Sequence, residues 1–290
     1  MTIGDVQYSL AATGLNDLLA HVQTLVQPAI RLITRTAAQD TIAVGASELG
    51  GQPDLPPNTP WPAKQGTPLS FVAQIRLEEV VPYDSAHVLP PKGLLSFFYD
   101  AQQETYGGSP ADRDGFHIFY FADAAGVWRQ SFPEALPASA RFTPCAVSFA
   151  TELTLPETPT VALPNLVWTP DQQKTYEAVL ATLPGADVGA SGGRPAPQDQ
   201  LLGYPDTLQD DMRLECQLAS HGVDVSQMAS DPRAKALIGG ADDWTLLLQV
   251  DSDGQAGMRW GDGGILYYWI EQNALRAASF SNVWCVLQTE

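Results

Sequence analysis

The densest concentration of reactive side chains lies at residues 248–264, LQVDSDGQAGMRWGDGG, where Asp251, Asp253 and Asp262 accompany Trp260 and five glycines. Carboxylates at alternate positions can present hard oxygen ligands to calcium, or hold a metal that activates water. The calcium loop of an EF-hand also needs glycine at its sixth position and glutamate at its twelfth, and Ala256 and Asp262 stand there instead. An apolar strand-like run, WTLLLQV, precedes the segment where that motif would have a helix. The plainer reading is a hairpin with polar turns, because Asp-Gly and Gly-Gly tolerate positive φ and the tryptophan can cover the adjoining core.

Other candidate chemistry is incomplete. Gly189-Ala190-Ser191-Gly192-Gly193 has the letters of a nucleophile elbow, but it lacks a strand before the serine and runs into RPAPQ. His21, His87, His117 and His221 are scattered, with no pair at the i, i+4 spacing of a helical zinc site. Gln74 and Gln249 each sit at the end of an apolar strand, where a buried amide must satisfy both its donor and its acceptor. Their expected task is to bond backbone across a central seam; the sharper alternative is a pair of amides offered to a ligand. Trp61, in GGQPDLPPNTPWP, either caps the core or forms an exposed aromatic contact.

The elements that must position these residues are short strands. IRLITRT, LSFVAQIRL, GLLSFFYD, FHIFYFAD, WTLLLQV and GILYYWI are separated by Gly, Pro and Asp, the texture of an antiparallel sheet protein. Leu15, Leu18, Leu19, Val22, Leu25 and Val26 recur at helical spacing, which predicts a helix over about 15–27 ended by Pro28. A second helix is expected over 171–183 behind Pro170, and a short third near Pro232.

Three elements occur twice in the same order. LGGQPD (49–54) returns as LLGYPD (201–206), PLSFVAQIRLEE (68–79) as DWTLLLQVDSD (243–253), and GLLSFFYD (93–100) as GILYYWIE (264–271). Gln74 matches Gln249 and Gly93 matches Gly264. Ordered self-similarity predicts a tandem duplication. The first unit covers about 45–145, a connection about 150–198 and the second unit about 199–290, all within one domain spanning 1–290. Each unit would bury its one apolar face against the other.

Together these motifs resemble the YwqG-like family of bacterial proteins of unknown function. The resemblance runs from about Leu49 to the end. It rests on Gly50-Gly51-Gln52-Pro53-Asp54-Leu55-Pro56, Trp61-Pro62, Phe71 to Ile75, Leu89 to Leu95, Leu247 to Asp253, and Trp260-Gly261-Asp262-Gly263-Gly264. It implies a single α+β domain and no established activity.

Composition narrows the function classes. With 290 residues and 44% hydrophobic content the chain can bury a sizeable core. Its 33 acidic and 15 basic residues give a net charge of −18, which repels phosphate backbones and anionic lipids, so neither nucleic acid nor a membrane is an expected partner. Cys145, Cys216 and Cys285 are widely spaced and read as small buried hydrophobes. The N-terminus has no signal-peptide pattern and no window reads as a membrane span, so a cytoplasmic location is expected.

The reading adopted is an α+β fold of mainly antiparallel sheets built from two tandemly duplicated half-domain units, with an N-terminal helix and a helical connection. The expected function is non-enzymatic binding of a protein or peptide partner, one that could be basic, with no cofactor. An acidic immunity or inhibitor-type protein would fit the charge. The binding residues would be Trp61, Gln74, Gln249, Asp251, Trp260 and Asp262, at the seam or on the acidic C-terminal half. The alternatives are a metal-assisted hydrolase using Asp251, Asp253 and Asp262, and a small-ligand sensor around the glutamines and tryptophans.

Overall fold

The computed structural model describes residues 24–157, 168–180 and 197–289. Its frame is one ten-stranded antiparallel sheet. In chain order the strands are β1 (Gln27–Thr36), β2 (Glu48–Leu49), β3 (Ser70–Arg76), β4 (Leu94–Tyr99), β5 (Phe116–Phe121), β6 (Cys145–Thr154), β7 (Gln200–Leu202), β8 (Trp244–Asp251), β9 (Ile265–Glu271) and β10 (Trp284–Gln288). Their spatial order is β10-β9-β8-β7-β1-β6-β2-β3-β4-β5. The expected α+β class is therefore what the chain adopts.

β1 and β6 form the centre, paired over their full length from Gln27↔Thr154 to Thr36↔Cys145. From that pair each flank runs outward through a short strand and three further strands. The two central strands are exchanged between the flanks. β1 precedes β2 in the chain but bonds to β7, and β6 precedes β7 but bonds to β2.

The sheet curls until its flanks face one another. Phe97 on β4 packs edge-on against Tyr268 on β9 at 5.0 Å between ring centroids, and Phe116 on β5 packs on Trp284 of β10 at 5.2 Å. Both flanks thus share one apolar core, with Leu95, Phe97 and Tyr99 from one side and Leu266, Tyr268 and Ile270 from the other all buried. Edge-to-face aromatic pairs add specificity to that burial. A smaller cluster on the opposite face of the first flank joins Leu55, Leu69, Phe71 and Phe98, with Trp61, Phe119 and Phe121 packed against it.

Two glycines open the outer strands by close approach. A Cβ on Gly93 would stand 2.7 Å from the Phe121 carbonyl, and one on Gly264 would meet the Gln288 carbonyl. Only glycine lets β4 and β9 start so close to their neighbours.

Helices differ in part from expectation. Residues 24 and 25 are helical but Gln27 already begins β1, because Gln27 to Thr36 are held in the central ladder; the rest of the helix expected over 15–27 lies outside the described residues. The connecting helix runs Pro170–Leu180, and the remainder of its expected span also lies outside them, as do all but the last two residues of the 189–198 linker. A short helix at Ala234–Leu237 follows Pro232 as expected. The helix Arg213–Ser220, whose Cys216, Leu218 and Ala219 are buried, lacked any sequence expectation. All three cysteines are free and buried. Among the described residues no helix is long and apolar enough to cross a membrane.

Candidate functional site

The two glutamines do not meet across the centre. Gln74 lies on β3 and accepts the Asp54 N–H on Oε1 at 2.8 Å, while its Nε2 donates to the Ala46 carbonyl and to Asp54 Oδ2, each at 2.8 Å. Gln249 on β8 accepts the Asp206 N–H at 2.9 Å and donates to the Gln198 carbonyl at 2.6 Å and Asp206 Oδ2 at 2.8 Å. Each amide bonds the aspartate of its own flank's Gly-x-Pro-Asp segment and one carbonyl ahead of that segment, so the expected bond across the seam is replaced by a bracket within each half. Both side chains are fully buried.

The 248–264 segment is likewise turned inward. β8 ends at Asp251, a turn closes through the reciprocal Asp253–Met258 backbone bridge, and β9 starts at Ile265. Asp251 accepts from the N–H groups of Gln198 and Ser252. Asp253 accepts from the Gln255 N–H at 2.7 Å, the local bond by which aspartate makes a turn. Trp260 is wholly buried against Tyr99 and Phe142 in edge-on contacts, and its Nε1 donates to the Asp251 carbonyl. Asp262 points the other way, 91% exposed and paired only with exposed Arg259 among the described residues. Asp251 and Asp253 are therefore not assembled with Asp262, and among the described residues no group of three or more His, Cys, Asp or Glu is placed to hold a metal ion.

Asp199 completes the buried acids beside Asp251 and Asp253. Its Oδ1 accepts the Asp251 N–H at 2.8 Å, and its Oδ2 is buried without a hydrogen-bond partner among the described residues. Burial, together with the two neighbouring carboxylates, pushes its carboxyl up to about 8 against the opposing pull of the Asp251 N–H and Arg31. At neutral pH it is held largely protonated, which relieves the repulsion among the three.

Of the expected site residues, Trp61 lines an open cleft. Its Nε1 donates to the Leu69 carbonyl at 2.9 Å and its ring stands edge-on to Phe98, so it caps the smaller core and still shows one face. The cleft beside it has a volume of about 450 Å³ and is walled by Pro60, Pro62, Leu69, His117 and Phe119, with Arg113 and Asp114 at its rim. A second cleft of about 400 Å³ lies on the other face of β5, between Ile118, Tyr120 and the Ala278–Ser281 turn, and it too includes Arg113.

Between these clefts runs β5 itself, FHIFYF. It bonds to β4 on one side, and among the described residues no backbone hydrogen bond reaches its other side. Its side chains alternate, Ile118 and Tyr120 toward the main core and Phe119 and Phe121 toward the smaller one. The opposite end of the sheet is covered: the Leu287 N–H of β10 donates to the Tyr106 carbonyl and Trp284 Nε1 to the Gly107 carbonyl. Exposed edges are normally blunted by lysine, proline or a bulge, and β5 has none of these. Arg113, His117 and Phe119 were not among the expected site residues. The readable signal was an aromatic run without a gatekeeping charge.

Fold and site together define an α+β protein of one curled antiparallel sheet, with its conspicuous polar groups consumed internally and one edge left open between two clefts. The chain belongs to a family known as a domain of unknown function (DUF1963), whose model matches residues 47–289. Among curated proteins, none matches the chain.

Proposed function

We propose that this protein is a non-enzymatic, cytoplasmic, YwqG-like binding protein that holds a protein or peptide partner, and that the partner docks by adding a strand to the outer edge of β5. The observation that carries this reading is the open edge itself, flanked on both faces by clefts that can take alternate side chains of an extended segment. Strand addition draws affinity from main-chain bonds and specificity from such pockets. The central seam is a poorer choice of surface, because Gln74, Gln249, Asp251 and Trp260 are buried there.

The net charge of −18 would steer a basic partner from a distance, as suits an acidic immunity or inhibitor-type protein. We read the two glutamine brackets as copies of one unit duplicated in tandem, with function added to the first copy at its free edge.

The test is capture at low salt from lysate of the native host, followed by hydrogen exchange on the recovered complex. Amides of residues 116–121 are expected to gain protection when the partner is bound. Failure to recover a partner, or recovery of one that leaves those amides unprotected, would sink the reading.

A further inference from the structure

The chemistry beside the open edge points to what the incoming segment carries. Arg113 stands just before β5 and lines both clefts. Its Nη2 donates to the Ser281 carbonyl at 2.7 Å and its guanidinium lies over the Phe116 ring at 5.2 Å. Among the described residues it forms no ion pair, although the chain has 33 acidic residues. Arg129 of the same flank differs: its guanidinium forks onto Asp54. A guanidinium is weakly hydrated and presents a planar fork suited to a carboxylate, so one held at the mouth of two clefts without such a partner is a recognition element in waiting. Around it the walls are mainly apolar, with Trp61, Pro60, Leu69 and Phe119 on one face and Ile118 and Phe280 on the other; Asp114 lines the first cleft as well and acts on Arg113 through its charge without an ion-pair contact.

We propose that the occupant of the β5 edge is an extended peptide segment with an aspartate or glutamate that pairs with Arg113 and an apolar side chain that enters the Trp61 cleft. This rests on the strand-addition reading above and specifies its partner. It is compatible with steering of a basic partner, because the long-range field of the whole molecule and the contact at one edge are separate terms. The carboxylate sets the register of the segment, and the main-chain bonds to β5 are indifferent to sequence.

A random nonapeptide library displayed on phage, panned on the wild-type protein, tests this. The enriched peptides are expected to share an acidic residue at fixed spacing from an apolar one. A synthetic peptide of that consensus should bind roughly tenfold or more weakly to Arg113→Glu, in line with a lost hydrogen-bonded charge pair. It should also protect residues 116–121 from hydrogen exchange. Arg113→Gln, which adds no carboxylate beside Asp112 and Asp114, should rank between wild type and Arg113→Glu and serves if the latter fails to fold. Peptides that protect β5 equally well without an acid, or that bind both variants as they bind wild type, overturn the acidic segment but leave strand addition standing. Absence of enrichment, or binding that leaves residues 116–121 unprotected, overturns both. Protection of β5 that rises with the protein's own concentration, without peptide, identifies a second copy as the occupant and overturns the peptide.

Discussion

The two glutamine brackets solve one problem in two electrostatic settings. In each, a strand amide closes on an Asp N–H, the same Asp carboxylate and a carbonyl just before a short strand, all within 2.6–2.9 Å. Around them the similarity ends. Asp54 is fully buried and its carboxylate takes a fork from Arg129, Nε to Oδ1 and Nη2 to Oδ2 at 3.1 Å each, while Arg129 Nη1 also donates to the Gln39 and Ile42 carbonyls. Asp206 is half-buried, and the Tyr267 hydroxyl donates to its carbonyl at 2.6 Å. Opposite Gln74, where the second bracket has Tyr267, the first has Ser96. The amide geometry is common to both, and what varies is the added donor: a guanidinium on the Asp54 carboxylate in one, a hydroxyl on the Asp206 main-chain carbonyl in the other.

The most severe way to break this comparison is Arg129→Ala. Among the described residues it leaves the Asp54 carboxylate buried with the amide of Gln74 and the Gly45 N–H as donors, and it takes a donor from the Gln39 carbonyl, which keeps the Ile42 N–H, and from the Ile42 carbonyl. Removing one partner of a buried pair costs about 3–5 kcal/mol, because the remaining charge is uncompensated. Urea denaturation should show a loss of that size, with the first bracket opening before the second in hydrogen exchange of the Asp54 and Asp206 amides. A loss no larger than that of a surface substitution would mean the ion pair is dispensable and Gln74 alone fixes Asp54.

A smaller change sharpens the comparison by making the halves alike. Glu48 faces Gln74 on β2, and Gln200 faces Gln249 at the matching place on β7. Burial pushes the Glu48 carboxyl up to about 8, although the Gln39 amide and Arg129 pull it down. Its ordinary value, near 4.5, governs the unfolded chain. Folding therefore favours the protonated form: below about 4.5 both states hold the proton and no penalty arises, and between 4.5 and 8 stability falls as the pH rises. Glu48→Gln removes this slope and keeps an oxygen for the Gln39 amide, which donates to Glu48 Oε2 at 2.7 Å. Melting temperature should match wild type near pH 4.5 and exceed it at pH 9. Equal melting temperatures at both would contradict a buried, proton-holding Glu48. Asp199, raised for a related reason in the other half, keeps a residual slope of the same sign in both proteins.

The sequence made some of this readable and hid the rest for physical reasons. The runs SFVAQIR, LLSFFY, WTLLLQVD and ILYYWIE are strands as expected, because both of their faces are buried and turn residues bound them. β6, CAVSFATELT, carries no clear strand pattern in the sequence; its half-buried surface blurs the alternation, and its partner β1 lies more than a hundred residues away. The glutamines read as buried amides and are buried, but their partners lie inside each half and not across the seam. The usable signal was that each recurring segment brings its own aspartate along with its own glutamine, which suits a bond inside the half. The open edge was illegible for a different reason. FHIFYF reads as a strand, but whether a strand has one neighbour or two is decided by residues elsewhere, here by the Tyr106–Gly107 turn covering β10 and, among the described residues, no backbone bond to the outer side of β5.

The mildest perturbation asks whether the second bracket depends on its hydroxyl as the first depends on its guanidinium. Tyr267 is buried, and Tyr267→Phe keeps the ring in the core while removing the donor to the Asp206 carbonyl. Because Asp206 is half-buried, water can reach the carbonyl that loses its partner, so the cost is that of one neutral hydrogen bond, about 1 kcal/mol. The denaturation midpoint should fall slightly with an unchanged slope against denaturant, since no surface is exposed. A loss equal to that of Arg129→Ala would mean that the second bracket is as tightly sealed as the first, and that the difference between the halves lies in the chemistry of the donor and not in access to water.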